Sequence, residues 1–203
     1  INRISKTFIN NPISVVSMVR LRKFCSYQKM ERPYTRVSKY KKQSFVKSRP
    51  HLSIARFEHG DPNGKFELTF YLKSKIDVQC RHNALESARQ TSNRILEEAL
   101  GKTGYFFKIR KYPFHVLREN AMATGAGADR MSQGMTLSFG KPISVAAQLF
   151  KGDIVLELRV NKKDAKLAKL ALARANRKLP CKSQIIEVSA AKQKVAPVVP
   201  SGH

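Results

Sequence analysis

The 203-residue sequence contains no tryptophan, three isolated cysteines and no apolar run of about 18 residues, the length that a membrane-spanning helix needs. No transmembrane helix is therefore predicted. The cysteines form no Cys-x-x-Cys motif and no histidine stands at zinc-ligand spacing, so neither a metal site nor another cofactor is predicted. Cys25, Cys80 and Cys181 are expected to be reduced thiols. The lack of tryptophan and an aromatic share of 8% argue against a stacking platform for single-stranded bases.

Acidic residues are also scarce, because 14 Asp and Glu stand against 39 Lys and Arg, for a net charge of +25. A compact chain with this charge repels itself unless a polyanion neutralises it, and nucleic acid is the usual partner. An anionic membrane surface is the competing partner. We expect no membrane partner, because the second predicted helix is rich in alanine and leucine and lacks the aromatic residues of a membrane-surface helix.

Residues 18–50 are predicted to form a basic arm. Between Arg20 and Arg49 the only acid is Glu31, aromatic residues are interleaved with the cations, and no helical or strand period persists. Such a run is either a solvated tail or an RNA-binding arm that becomes ordered on its target, and the density of one-signed charge favours the second. Residues 1–17 lack this pattern and are expected to be an extension ahead of Met18, mostly disordered when free.

Residues 51–188 are predicted to form one α+β domain with an antiparallel or mixed sheet and two helices on one side. The first helix, 82–100, carries an apolar stripe at helical spacing and is followed by Gly101, a typical residue after a helix C-terminus. The second begins at Asn161 or Asp164 and ends before Pro180. Its predicted apolar stripe is Leu167, Leu170, Ala171 and Ala175.

Short alternating or apolar runs between turn residues predict the strands. A turn at 151–153 predicts a hairpin between two of these strands, and 105–118 reads as a basic strand pair bent at Pro113. Residues 189–203 have no period and are expected to be a disordered tail. The remaining predicted strands are 52–57, 66–72, 76–80, 143–150, 154–160 and 184–188.

A long loop at 120–135 leaves the basic strand and returns to an apolar run, which predicts a finger presented by the domain. Gly125 and Gly127 permit positive φ, and Arg130 could reach a phosphate. A disordered hairpin loop is the alternative. A phosphate-binding enzyme loop is not supported, because Arg130 occupies the third position of the dinucleotide fingerprint and no helix is predicted after it. His115 lies in apolar company without a nearby acid or nucleophile, so we expect a buried structural histidine and no catalytic site.

The finger also carries a family resemblance. The finger and the stretches that flank it contain the segments YPFHVLREN (112–120), AMATGAGADR (121–130) and SFGKP (138–142). These segments resemble the archaeal and eukaryotic large-subunit ribosomal protein "ten-e" family, the counterpart of bacterial large-subunit ribosomal protein sixteen, and the archaeal branch in particular. Shorter matches are RPYTR (32–36), QCRHNALESAR (79–89) and KLPC (178–181). The resemblance covers roughly residues 18–188.

The resemblance implies an α/β-hammerhead fold and a structural, non-enzymatic role in translation in the cytoplasm, without a small-molecule substrate. It implies that the chain binds large-subunit rRNA, with 5S rRNA and neighbouring ribosomal proteins as further partners. The finger would point toward the peptidyl-transferase centre and the acceptor end of A-site or P-site tRNA. A free RNA- or tRNA-binding protein is the alternative.

Two sets of contact residues are predicted from the basic pattern and the resemblance together. The predicted RNA-binding residues are Arg20, Arg22, Lys23, Arg32, Arg36, Lys41, Lys42, Arg49, Arg81, His82, Lys108, Arg110 and Lys111. The predicted tRNA-proximal residues are Arg118, Asn120, Thr124, Gly125, Gly127, Asp129, Arg130 and Gln133.

Overall fold

The computed structural model describes residues 22–35, 40, 46, 49–120, 122, 125–131, 134–136 and 138–189. The predicted extension 1–17 and residues 190–203 of the predicted tail lie outside the described residues, and so does most of the arm between 36 and 48. The described part is α+β, as predicted, and is built from strands, two longer helices and one short helix. In chain order its elements are a 3-10 turn at Phe24–Tyr27, β1 at Glu58–Gly60, β2 at Leu68–Ser74, β3 at Val78–Arg81, α1 at His82–Leu100, β4 at Phe106–Ile109, β5 at His115–Glu119, α2 at Ala128–Met131, β6 at Lys141–Leu149, β7 at Ile154–Val160, a 3-10 turn at Lys162–Asp164, α3 at Ala165–Asn176 and β8 at Ser183–Ser189.

The strands form two sheets in which every neighbouring pair is antiparallel. The larger sheet has the order β1-β4-β7-β2-β8 and the smaller one has the order β3-β6-β5. Strand β7 lies between β2 and β4, and its Val155, Leu156 and Leu158 are fully buried. Full burial of a leucine side chain contributes about 1.5–3 kcal/mol, so this strand anchors the larger sheet.

Helices α1 and α3 pack against each other and join the two sheets through one apolar core. At their contact the Ser92 hydroxyl lies 3.4 Å from the carbonyl oxygen of Ala171. Helix α1 has the predicted bounds, and Gly101 after it has φ of +69°, where a side chain would be strained. Within the described residues, neither helix is both long and apolar enough to cross a bilayer.

Two predicted strand pairings are wrong. The turn before β7 forms, since Asp153 N donates to Phe150 O at 3.0 Å, but β6 and β7 belong to different sheets. Strands β4 and β5 likewise belong to different sheets. Turn residues report only that the chain reverses, whereas pairing depends on which apolar faces can share the core.

The predicted strand at 52–57 is also wrong, because the only strand there is β1, which begins at Glu58. Ile54 is buried and packs with Leu52 and Phe57 against the core. One backbone bond, from Ile109 N to Phe57 O at 2.8 Å, ties the segment to β4. Its alternation therefore reflects burial of side chains without a strand ladder.

The stripe predicted for the second helix is partly wrong. Leu170 is exposed, and the buried positions of α3 are Ala168, Ala171, Leu172 and Ala175. In α1, Arg89 lies off the apolar stripe and is nevertheless buried, where it donates to both oxygens of Glu86 at 2.6 and 2.8 Å. A buried guanidinium is tolerated because this bidentate pair neutralises it.

Candidate nucleic-acid interface

The finger leaves the smaller sheet between β5 and β6, which pair from His115 opposite Ala146 to Glu119 opposite Lys141. Gly140 closes this base. A Cβ at Gly140 would lie 2.5 Å from the carbonyl carbon of Glu119, so only glycine fits there. The predicted finger falls in the long connection between these two paired strands, and its presentation to a partner stays a prediction.

The finger contains a short helix that its composition did not reveal. Helix α2 is preceded by Gly125 and Gly127, both with positive φ as expected, and Arg130 N donates to Gly127 O at 3.2 Å. The Arg130 side chain is exposed, whereas nothing is described of the Asp129 side chain. Asn120 donates from Nδ2 to Gly134 O at 3.4 Å, while Thr124 and Gln133 lie outside the described residues.

Arg118 lies at the base of the finger. Its Nε donates to Gly140 O at 2.8 Å, and its guanidinium carbon lies 3.9 Å from the centroid of the exposed Phe139 ring. Cation–π contact and the hydrogen bond together fix the guanidinium over the hairpin. Arg118 is therefore placed to orient the finger, and its predicted contact with tRNA stays a prediction.

Part of the basic arm is described, as segment 22–35. Arg22 donates from Nε to Glu119 Oε1 at 2.6 Å, and Lys23 and Arg32 are exposed. Arg49 is exposed as well. The predicted contacts that lie outside the described residues are Arg20, Arg36, Lys41 and Lys42.

Arg81 and His82 stand at the junction of β3 and α1. Arg81 donates from its NH1 atom to Arg22 O at 3.2 Å, and its guanidinium carbon lies 5.5 Å from the Tyr27 ring centroid. His82 is buried and its Nδ1 accepts a bond from Ser53 N at 2.9 Å. Burial lowers the pKa of His82, so the ring is neutral and structural at pH 7.

The three cations predicted on the basic strand all meet carboxylates of the same chain. Lys108 pairs with Glu58, and Lys111 pairs with Asp153 at 2.6 Å. Arg110 pairs with Glu157, which is fully buried and also accepts a bond from Arg159 at 2.7 Å. These pairs neutralise the cations, so they are weaker candidates for phosphate contacts than the sequence indicated.

The cations of helix α3 differ from these, because most of them have no carboxylate partner in the described part of the chain. None of them was among the predicted contact residues. Within the described residues, Lys169 is the α3 cation with a carboxylate partner, Glu187 at 2.9 Å. The neighbouring cations are exposed and lack such a partner in the same part of the chain. A sequence signal was available, because residues 165–178 contain no acid, so no partner exists along the helix at i,i+3 or i,i+4. These exposed cations are Lys162, Lys163, Lys166, Arg174, Arg177 and Lys178.

Potential metal ligands are not clustered in the described part of the structure. No group of three His, Cys, Asp or Glu side chains could hold a metal ion there. His115 is buried, its Nδ1 accepts a bond from Tyr34 N at 2.9 Å, and its ring stacks on Tyr34. The expectation of a structural histidine is confirmed. All three cysteines are free thiols, as expected.

Comparison with known proteins connects this geometry to one family. The family model described as ribosomal protein L16p/L10e matches residues 33–186. A relative from Staphylothermus marinus, large ribosomal subunit protein uL16, is 44% identical over 154 residues, which cover 76% of this chain and 85% of that protein. Proteins of the same name from Picrophilus torridus and Methanococcus aeolicus are 41% identical over 166 residues and 42% identical over 147 residues. They cover 81% and 72% of this chain, and 94% and 85% of the respective relatives.

Proposed function

Because the chain belongs to the ribosomal protein L16p/L10e family, and is thus a ribosomal protein and not an enzyme, we propose that it is a structural constituent of the large ribosomal subunit. The family match carries this proposal, since it spans 154 of the 203 residues, from 33 to 186. The archaeal relatives bear the name of a large-subunit protein. In this proposal the chain works in the cytoplasm, within the subunit.

We further propose that the chain contacts large-subunit rRNA through two cationic surfaces. The first is the basic arm, where Lys23 and Arg32 are exposed. The second is the exposed face of α3, where Lys166 and Arg177 stand without carboxylate partners in the described part of the chain. Neutralising phosphates at these surfaces releases counterions, and contacts to backbone and shape suffice to recognise folded RNA.

The third part of the proposal concerns the finger. The paired strands β5 and β6 hold its base, and Arg130 and Met135 are exposed on the loop between them. We propose that this loop, residues 120–135, faces the acceptor end of A-site or P-site tRNA near the peptidyl-transferase centre. 5S rRNA and neighbouring ribosomal proteins complete the proposed partners.

Sedimentation tests the proposal directly. A lysate from the source cells is run through a sucrose gradient at high salt, and fractions are blotted for this chain. We expect it to remain with the large subunit, because a subunit component is also held by shape-dependent contacts with folded RNA, whereas binding through phosphate contacts alone weakens steeply as salt is raised. A chain that runs at the top of the gradient and binds isolated tRNA in a salt-dependent way would instead be a free RNA-binding protein.

A further inference from the structure

The end of the smaller sheet that carries the finger is only two strands wide. Strand β3 pairs with β6 from Ala146 to Leu149, whereas β6 continues as far as Lys141, opposite Glu119 of β5. Residues 141–145 therefore pair with β5 alone. A two-stranded ribbon is marginally stable by itself and twists strongly, so its direction needs support from outside the sheet.

Segment 22–35 provides contacts to every strand of this sheet. Side chains of β3 and β6 donate to its backbone, and the backbone of β5 pairs with it once. A groove of about 370 Å³ remains between the segment and the hairpin. The bonds run from Gln79 Nε2 to Tyr27 O at 3.0 Å, from Gln148 Nε2 to Glu31 O at 2.7 Å and from Val116 N to Tyr34 O at 3.3 Å.

The contact nearest the finger is made by Glu119, the last residue of β5. Its Oε1 accepts from Arg22 Nε at 2.6 Å and its Oε2 accepts from the Tyr27 hydroxyl at 2.9 Å. Burial and this bond raise the pKa of Tyr27 to about 12, so the hydroxyl keeps its proton at pH 7. Both carboxylate oxygens are thus engaged by the arm.

Aromatic contacts extend the same connection toward the loop. The Tyr34 ring stacks on His115 with centroids 5.8 Å apart and meets the edge of Phe139 at 6.4 Å. Arg118 covers the Phe139 ring. The arm therefore touches both strands of the hairpin at its base, one through His115 of β5 and the other through Phe139 just before β6.

We propose that Glu119 is a positioning residue that ties the basic arm to the finger, so that the arm sets the direction in which the loop leaves the sheet. This inference rests on the proposed function of the finger, but the contacts that support it all lie within the free chain. Arg22 belongs to the arm proposed to bind rRNA, so docking of the arm would also fix the loop.

The experiment measures the direction of the loop in the free, full-length chain. Spin labels are placed at Met135→Cys on the finger and Lys102→Cys after α1, in a Cys25→Ser background that leaves only the buried cysteines. Pulsed electron–electron double resonance then gives the distribution of distances between the two labels. We expect one narrow peak for the parent chain and a shifted, broader distribution for Glu119→Gln, which removes the charge that holds Arg22.

Three further variants separate positioning from a loss of folding. Tyr27→Phe removes a single hydroxyl and should broaden the distribution less than Glu119→Gln does. The charge-exchanged pair Arg22→Glu with Glu119→Arg should narrow it again. Glu98→Gln, which breaks an exposed pair with Arg94 on α1, should leave it unchanged. Unchanged distances in Glu119→Gln, or a broad distribution in the parent chain, would overturn the proposal.

The outcome is independent of the ribosomal role. Glu119→Gln leaves the cations of the arm and of α3 in place, so the variant should still sediment with the large subunit. If the parent chain does not sediment with that subunit, the proposed function fails while the spin-label distances still decide the role of Glu119. If it does sediment but the distances do not respond to Glu119→Gln, only the positioning role fails.

Discussion

Segment 106–111, which contains β4, and segment 162–178, which contains α3, are both rich in Lys and Arg, but they differ in what surrounds the charge. In the first segment Lys108, Arg110 and Lys111 each pair with a carboxylate from another part of the chain. In the second, Lys169 is the cation with such a partner in the described part of the chain. Equal basic character in the sequence therefore corresponds to two different physical roles.

The difference follows from sheet and helix geometry. Strand β4 lies between β1 and β7, and its Lys108 stands in register with Glu58 on one side and Glu157 on the other. Opposite charges at such cross-strand positions attract each other. Helix α3 exposes one face to solvent, and its own sequence contains no acidic residue. Net charge alone identifies a partner class, whereas the topology determines which cations remain free to meet it.

The largest expected effect comes from the carboxylate at the centre of the paired region. Glu157→Ala should lower the free energy of unfolding by about 1.5–3 kcal/mol, because it leaves two guanidinium groups in the sheet without their shared, fully buried acceptor. The partially exposed Arg110 and Arg159 can recruit water, which favours the lower end of this range. Urea unfolding followed by circular dichroism measures the change.

A matched control uses an exposed carboxylate. Glu98→Ala breaks the solvated pair with Arg94 on α1 and should change the free energy of unfolding by less than about 1 kcal/mol. If both substitutions have similar small effects, the paired region is no more structural than an ordinary surface, and the contrast with α3 loses its basis.

Much of the fold could be predicted from local pattern. Helix α1 has the predicted bounds, and the turn at 151–153 and strand β8 lie where they were expected. The division into two sheets could not be predicted, because strand partners depend on contacts between residues far apart in sequence. The predicted hairpin of β6 and β7 failed for this reason.

The candidate site was less predictable than the fold. Sequence pattern predicted a basic arm and a finger, but it ranked the cations of the basic strand as contacts and left out those of α3. The pairing of Arg110 with Glu157 spans 47 residues, and the pairing of Arg22 with Glu119 spans 97, so neither leaves a local signal. The α3 cations that lack a carboxylate partner in the described part of the chain did leave a local signal, because residues 165–178 contain no acid that could pair with them along the helix.

A change of intermediate size is expected in RNA affinity, which should depend on the cations of α3 and not on those of segment 106–111. Lys166→Ala with Arg177→Ala should weaken binding of the full chain to a large-subunit rRNA transcript. The slope of log affinity against log salt should fall by about 0.9 for each phosphate that the variant no longer neutralises. Filter binding over a series of salt concentrations measures both quantities.

The matched variant removes two cations of the other segment. Lys108→Ala with Lys111→Ala should leave the RNA affinity and its salt slope nearly unchanged, since carboxylates already neutralise both side chains. A larger drop in affinity in this variant than in the α3 variant would reverse the proposed assignment and place the rRNA contact on β4.

The smallest expected effect is a decrease in the free energy of unfolding at acid pH. It should arise from buried histidines and leave the charges of α3 unchanged. Burial lowers the pKa values of His59, His82 and His115, and each ring accepts a hydrogen bond that protonation would break. In the unfolded chain these histidines bind protons below about pH 6.5. The unfolded chain therefore binds more protons than the folded one as pH falls from there toward the lowered pKa values, so the free energy of unfolding should decline across that window and stay level above it.

His115→Gln tests this response at the base of the finger. Glu31 opposes part of the burial effect there, which limits the size of the change. The variant should unfold with a shallower dependence on pH below about pH 6.5, the range in which the unfolded histidine binds its proton and the folded one does not. The lysines and arginines of α3 keep their charge throughout, so the RNA affinity contributed by that helix should not follow the same curve. A pH profile unchanged by His115→Gln would mean that protonation of this histidine does not weaken the hold of segment 22–35 on β5.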